Sequence, residues 1–92
     1  MAKIRVQRDH QLSLDTVRET ADELADQLRK RFGGSYGWQG DELSYKRSGV
    51  DARIICSKQD IVVDVKLKGL MMSALRGTIE SEIKTSLDKY LA

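Results

Sequence analysis

Two pairs of turn-forming residues, Gly40-Asp41 and Ser48-Gly49, separate short segments in which apolar and polar side chains alternate. Alternation over roughly four to eight residues is typical of a strand that buries one face. A two-residue loop joins neighbouring antiparallel strands and determines which of their residues face each other. The stretch from Tyr36 to Leu67 is therefore predicted to form a meander of antiparallel strands in a defined register.

The predicted register places the apolar residues on one face of this meander. We expect the pairs Gln39–Glu42, Trp38–Leu43 and Tyr36–Tyr45 across the first loop, Arg47–Val50, Tyr45–Ala52 and Leu43–Ile54 across the second, and Cys56–Ile61, Ile54–Val63 and Ala52–Val65 across a longer turn from Ser57 to Asp60. A shift of one residue would move every apolar side chain to the other face, so this agreement supports the register.

The opposite face of the meander is predicted to carry charged side chains in cross-strand rows. The rows are Lys46, Asp51 and Lys66, followed by Ser44, Arg53 and Asp64. Opposite charges in neighbouring positions of such rows stabilise a sheet by roughly 0.2–1 kcal/mol per pair. Ile55 and Val62 are expected to form one apolar pair on this charged face.

Segments with other periodicities flank the meander. Ile4 and Val6 alternate with polar residues, which predicts a first strand. A helix is predicted to follow, with Ser13 as N-cap and Gly33-Gly34 as its end, because apolar residues recur every three or four positions at Leu14, Val17, Ala21, Leu24 and Leu28. The same spacing predicts a second helix from Leu70 to Leu91.

The predicted order of elements is β-α-β-β-β-β-α, which places the chain in the α+β class. We expect a five-stranded antiparallel sheet of strand order 2-3-4-5-1 with both helices on one face. This plan resembles a reduced form of the helix-grip fold. A chain of 92 residues, 40% of them apolar, suits a single domain spanning residues 1 to 92.

Composition restricts the location and partners of the chain. One cysteine cannot form an internal disulfide, and no stretch approaches the ~20 apolar residues of a membrane span or forms the apolar core of a signal peptide. We therefore predict a cytoplasmic protein without a membrane span. The net charge of +2 does not by itself require an anionic partner, and we expect a monomer or a weak homodimer.

The residue types that commonly carry chemistry do not form a recognisable catalytic motif. His10, the single histidine, follows Asp9 in a connection, where a loop or capping role is the simpler interpretation. Cys56 falls on the apolar face and is expected to be a buried thiol. Gly33-Gly34 and Gly37 lack the spacing of a phosphate loop. We expect no enzymatic activity, no cofactor and no metal site.

Basic residues on the charged face suggest one class of partner. Those expected to point outward are Lys3, Arg5, Lys46, Arg53, Lys66 and Lys68. Sheets that bind nucleic acid usually add outward aromatic side chains for base stacking, whereas Tyr36, Trp38 and Tyr45 are predicted to point inward. Nucleic-acid binding through the basic sheet face is therefore kept only as an alternative.

Two features near the second helix have both structural and functional interpretations. Leu70-Met71-Met72 is a continuous apolar run that either covers one end of the core or contacts an apolar partner. Gly77 forms a stripe of small residues with Ala74 and Ser81. We expect close packing of the first helix against this stripe, a second subunit being the alternative.

The chain resembles the polyhydroxyalkanoic acid system proteins over almost its whole length. The resemblance is carried by the opening residues Ile4 to Leu14, by Tyr36-Gly37-Trp38-Gln39-Gly40-Asp41 and Leu43, by Arg47-Ser48-Gly49-Val50-Asp51-Ala52-Arg53-Ile54, by Leu67-Lys68-Gly69-Leu70, and by Leu75-Arg76-Gly77-Thr78-Ile79-Glu80-Ser81-Glu82-Ile83. It implies a small bacterial protein with a granule-associated or regulatory role in polyhydroxyalkanoate storage, and it carries over no catalytic residues.

Three functional hypotheses follow from these observations. The first is a non-enzymatic accessory protein that binds a polyhydroxyalkanoate granule or a granule protein through Leu70, Met71 and Met72, with Ile55 and Val62 as a second contact. The second is a small carrier of the helix-grip type, holding an apolar ligand between the sheet and the C-terminal helix. The third is a nucleic-acid-binding module that uses the basic sheet face.

Overall fold

The computed structural model describes residues 2–69 and 73–91. Its elements are β1 (Ala2–Asp9), α1 (Leu14–Phe32), β2 (Ser35–Gln39), β3 (Glu42–Arg47), β4 (Val50–Cys56), β5 (Asp60–Leu67) and α2 (Arg76–Leu91). The predicted β-α-β-β-β-β-α order is confirmed.

The strands form one antiparallel sheet in the order β1-β5-β4-β3-β2, which is the predicted order viewed from the opposite edge. β1 lies antiparallel to β5, with Ile4 opposite Val65 and Val6 opposite Val63. All nine cross-strand pairs predicted for the meander are confirmed. Both rows of charged residues are confirmed as well, and Arg5 of β1 extends the second row beside Asp64.

The two tight loops depend on glycine. Gly40 adopts φ 63° at the first position of its loop, and Gly49 adopts φ 84° at the second position of the other. Asp41 and Ser48 both keep negative φ. Side chains disfavour the positive-φ region sterically, so the glycine positions determine the loop geometry and, through it, the register of the strands.

The ends of α1 agree with the sequence prediction. Ser13 is the N-cap, and its Oγ accepts a hydrogen bond from the backbone N–H of Thr16 at 3.2 Å. Gly33 follows the last residue and donates its N–H to the carbonyl of Arg29 at 2.8 Å. These contacts satisfy backbone groups that a helix end otherwise leaves without partners.

The second helix is interrupted near its start, which the sequence does not predict. Leu70, Met71 and Met72 lie outside the described residues. Ser73 and Ala74 are helical, but a turn at Leu75 separates them from the continuous helix that begins at Arg76.

Both helices pack on the same face of the sheet, as predicted. α1 contacts β2, β3 and β4, whereas α2 contacts β1 and the side of α1. Between them lies the core, whose largest fully buried side chains include Ile4, Leu24, Leu43, Tyr45, Ile54, Ile61, Leu67, Ile83 and Leu87.

Tyr45 brings a polar group into this core. Its ring is completely buried, and its hydroxyl lies 2.5 Å from the carbonyl oxygen of Gly33 and 3.3 Å from that of Leu28. Burial raises the pKa of this hydroxyl, which therefore remains a donor. The bond joins the centre of the sheet to the C-terminal end of α1.

The prediction that α1 packs closely against Gly77 is wrong. Gly77, Ala74 and Ser81 are exposed, and no described atom lies within 4 Å of the position that a Cβ on Gly77 would occupy. The helices meet farther along α2, where Gln27 of α1 accepts a hydrogen bond from Ser86 and donates one to Tyr90. The small side chains near the start of α2 therefore do not indicate a contact with α1.

We expect Gly77→Ala to raise the free energy of unfolding by about 0.4–1 kcal/mol, because alanine restricts the unfolded chain and fits here without a clash. Thermal unfolding monitored by circular dichroism checks this. Gly34→Ala is the contrasting variant, since its φ is 95° and its Cβ would lie 2.5 Å from the carbonyl oxygen of Lys46. It should destabilise the protein, and equal effects of the two variants would contradict the packing described.

Candidate interaction surface

The face of the sheet opposite the helices is not covered by any described element. We call it the outer face. From β2 to β1 its three rows are Ser35, Lys46, Asp51, Lys66 and Lys3; then Gly37, Ser44, Arg53, Asp64 and Arg5; and then Gln39, Glu42, Ile55, Val62 and Gln7.

Charge is distributed unevenly over the outer face. The six basic side chains predicted to point outward are all exposed. Arg5 and Asp64 form an ion pair at 3.0 Å in which both side chains remain largely in water, so the pair adds little to stability. At the other end, Gln7 donates to Asp60 at 2.6 Å, and Asp9 lies opposite Asp60 in the register. The face is thus basic near the β3–β4 loop and acidic near the β4–β5 turn.

Ile55 and Val62 are direct cross-strand partners near the acidic end. Ile55 is 39% exposed and is the one large apolar residue classed as exposed among those the structure describes. Val62 is 8% exposed. The structure brings this predicted pair together, while its role as a contact stays a prediction.

Leu70, Met71 and Met72, the other predicted contact, lie outside the described residues. Gly69, the last described residue before them, follows the opposite end of β5 from Val62. Leu67 lies five positions after Val62, a distance of roughly 16 Å along a strand. The chain thus leaves β5 at the end opposite Val62.

The aromatic residues of the meander belong to the helix face, as the register predicts. Tyr45 is fully buried, and Tyr36 and Trp38 pack half-buried against the core. The indole N–H of Trp38 donates to Asp22 at 3.2 Å, and the guanidinium of Arg18 lies 4.5 Å from the centroid of its ring.

An acidic groove beside Trp38 was not anticipated from the sequence. It has a volume of about 570 Å³ and is lined by Asp15, Arg18, Glu19, Asp22, Glu23 and Trp38. The signal available in the sequence was the clustering of four carboxylates in the first half of α1. Only the position of β2 relative to this helix shows that the carboxylates lie near the edge of the sheet.

A second groove, of about 510 Å³, lies between the two helices. Its apolar floor contains Leu24, Leu28 and Ile83, and its polar rim contains Gln27, Lys30, Arg31, Ser81, Glu82, Thr85 and Ser86. Arg31 and Glu82 form an ion pair across it. The space between the sheet and α2, where a helix-grip carrier would hold its ligand, is occupied by buried side chains of Ile79, Ile83 and Leu87.

His10 connects two loops. Its Nε2 lies 2.9 Å from the carbonyl oxygen of Ser57, and its Nδ1 accepts the N–H of Leu12 at 3.1 Å. Its backbone N–H also donates to Gln59 at 3.0 Å. With Nδ1 accepting, the tautomer that carries its proton on Nε2 satisfies both contacts. His10 therefore holds the β1–α1 connection against the β4–β5 turn, in the loop role predicted for it.

Cys56 is a buried thiol, as predicted from its position in β4. It is 4% exposed, and its Sγ lies 3.9 Å from the carbonyl oxygen of Val17. Burial raises its pKa to about 11. The described residues include no group of three or more His, Cys, Asp or Glu side chains placed to hold a metal ion.

Comparison with known proteins identifies the family of the chain. Residues 4–91 match the family model described as "Putative polyhydroxyalkanoic acid system protein". The chain belongs to this family. The resemblance to the polyhydroxyalkanoic acid system proteins that the sequence motifs indicated is thereby confirmed over nearly the whole chain. No curated protein and no solved structure shows significant similarity to the chain.

Within residues 2–69 and 73–91, neither helix combines the length and the apolar character needed to cross a bilayer.

We expect Cys56 to react slowly with dithiodipyridine in the folded protein at about pH 8, because burial keeps the thiol protonated and shields it. Absorbance of the released thiopyridone measures the rate, and the denatured chain is the control. The pKa of Cys56 in the folded protein lies above its ordinary value of 9.0. The free energy of unfolding should therefore be unaffected by this thiol below about pH 9 and should fall between about pH 9 and pH 11, where the thiol ionises only in the unfolded chain. Equally fast labelling of folded and denatured chains would show that Cys56 is accessible.

Proposed function

We propose that this protein is a non-enzymatic accessory protein of polyhydroxyalkanoate storage that binds a granule surface or a granule protein. Membership of the polyhydroxyalkanoic acid system family over residues 4–91 is the observation that carries the proposal. The uncovered outer face supports it, because a binding protein requires a surface that its own fold leaves free.

The chemistry of the outer face favours a granule protein over bare polyester as its partner. Burying the remainder of Ile55 contributes at most about 1–2 kcal/mol, whereas association costs at least about 4 kcal/mol in lost translational and rotational freedom. The difference must come from polar and charged contacts. The basic end around Lys46, Lys66 and Lys68 would pair with acidic side chains, which a neutral polyester does not have.

Leu70, Met71 and Met72 supply the apolar part of the proposed contact. This assignment rests on the sequence, where three consecutive apolar residues include two adaptable methionines. Since they are separate in the chain from Ile55, the two contacts can be tested by separate substitutions.

We expect Ile55→Lys to weaken binding to isolated granules about tenfold or more, since it removes the exposed apolar contact. The new lysine faces Glu42 across the strands, so the fold should tolerate it. Thr78→Lys adds the same charge at an exposed position of α2 that lines neither groove, and should bind normally. Co-sedimentation of purified protein with granules measures the bound fraction.

The double variant Met71→Glu, Met72→Glu tests the other contact in the same assay. Granules stripped of protein by protease distinguish the two partners: loss of binding indicates a granule protein, and retention indicates the polyester. If the Ile55→Lys variant and the Met71→Glu, Met72→Glu variant both bound granules as well as the wild type does, the proposed surfaces would be wrong.

A small apolar-ligand carrier is the second candidate function, and the groove between the helices supports it. The groove offers an apolar floor with Lys30 and Arg31 at its rim, an arrangement suited to a short acyl chain that ends in a carboxylate. Nucleic-acid binding has less support, because Tyr36, Trp38 and Tyr45 all belong to the helix face and no described aromatic side chain lies in the three rows of the outer face.

If the groove binds such ligands, titration with octanoate should shift the methyl NMR signals of Leu24, Leu28 and Ile83 in a saturable manner. The methyl groups of Ile55, on the opposite side of the sheet, are the internal control and should not move. Unchanged groove signals at millimolar octanoate would exclude a carrier for this class of ligand.

A further inference from the structure

The two edges of the sheet differ in how they are protected. The free edge of β1 contains Lys3, Arg5 and Arg8, and two of its carbonyls are capped by side chains. Arg76 donates to the carbonyl of Lys3 at 3.2 Å, and Arg8 donates to that of Gln7 at 2.9 Å. Charged side chains and covered carbonyls are the usual means by which proteins prevent an edge strand from pairing with another chain.

Among residues 2–69 and 73–91, β2 at the other edge shows neither protection. Its sequence, Ser-Tyr-Gly-Trp-Gln, contains no charged residue and no proline. Gln39 and Glu42 flank a two-residue loop and so form a hydrogen-bonded pair, and hydrogen-bonded positions alternate along a strand. The backbone N–H and C=O groups of Tyr36 and Trp38 consequently point away from β3, along the free edge.

Gly37, between these two residues, has no explanation within the described chain. Its φ is not positive, and nothing lies within 4 Å of the position that its Cβ would take. Glycine in the middle of a strand costs stability and often marks a place where another backbone approaches closely. No described backbone does so at Gly37, which suggests that the approaching strand belongs to another molecule.

Charge along α1, which packs over this edge of the sheet, favours a second copy as that molecule. On the side of α1 that faces β2, Asp15, Glu19, Asp22 and Glu23 make the groove beside Trp38 acidic, whereas the basic Arg29 lies beside Tyr36. A two-fold axis at the edge would place Tyr36 of one copy opposite Trp38 of the other, and thus Arg29 of each copy beside the acidic groove of its partner.

We propose that β2 is a homodimerisation edge at which two copies pair antiparallel about a two-fold axis through Gly37, forming a continuous ten-stranded sheet. Tyr36 of each copy then exchanges two backbone hydrogen bonds with Trp38 of the other, and Gly37 faces its symmetry mate. The aromatic side chains of Tyr36 and Trp38 meet on the helix face as cross-strand pairs. This inference does not depend on the proposed granule function.

The geometry gives Gly37 a specific test. Directly opposite residues in an antiparallel pair have Cβ atoms about 4.5–5.5 Å apart, so Gly37→Lys would oppose two lysines and Gly37→Glu two glutamates. Each variant should dimerise at least about tenfold more weakly than the wild type. An equimolar mixture of the two should dimerise normally, because it opposes lysine to glutamate.

Ser44→Glu is the matched control. Ser44 lies on the same face one strand inward and opposite Arg53, so glutamate should be tolerated there. In the proposed dimer its symmetry mate is three strand spacings away, roughly 14 Å, which exceeds the screening length at physiological ionic strength. Dimerisation of this variant should match that of the wild type.

Sedimentation velocity from micromolar to millimolar protein measures these equilibria, with circular dichroism confirming folding. On the wild type alone, the amide protons of Tyr36 and Trp38 should become protected from hydrogen exchange as concentration rises. A wild type that stays monomeric, a dimer unaffected by Gly37→Lys and Gly37→Glu, or a dimer in which these amides stay unprotected would overturn the proposal. If the wild type is monomeric, the free edge of β2 is open to pairing with a strand of another protein and does not pair with a second copy.

Discussion

The two glycine loops of the meander are the constraint on which the rest of the structure depends. Gly40 and Gly49 take backbone angles that side chains disfavour, and thereby fix β2, β3 and β4 in one register. Because side chains alternate between faces, that register decides the environment of every strand residue at once. With this register, Tyr45 points into the core and Ile55 points to solvent. The apolar side chains share the face on which the helices pack, and the charged side chains share the outer face.

Packing of α1 on the apolar face of the sheet depends on the turn between the helix and β2. Tyr45 reaches from β3 to the carbonyl of Gly33, and Gly34 lies so close to Lys46 that a Cβ would collide with its carbonyl. The end of the helix, the start of β2 and the centre of β3 are therefore one packed unit. A buried hydroxyl that lost its acceptor here would cost about 1–3 kcal/mol, so the bond helps to fix where the helix ends relative to the sheet.

Sequence reasoning predicted most of the fold because turn residues and alternation are local signals that agree with one another. It was less successful where the answer depends on how distant elements are placed. Small residues around Gly77 suggested a helix contact, yet they face solvent, since composition alone cannot distinguish close packing from exposure. The acidic groove beside Trp38 and the bond from Arg76 to Lys3 join residues 16 and 73 positions apart in the chain, and no pattern within one segment reports such pairings.

The proposed dimer and the proposed granule function meet on the outer face. Pairing through β2 would leave that face uncovered and extend it across two copies, so that their basic rows lie on one surface. Ile55 lies in β4, and its symmetry mate would lie five strand spacings away across the sheet, roughly 24 Å, and four residues away along the strands, roughly 13 Å. A single exposed isoleucine binds weakly, but two such sites on one rigid sheet can engage a granule surface simultaneously, and the second contact then benefits from a high effective concentration. Weak individual contacts on an extended, repeated surface are compatible with specific attachment to a large particle, whereas the same contacts would retain a single free ligand poorly.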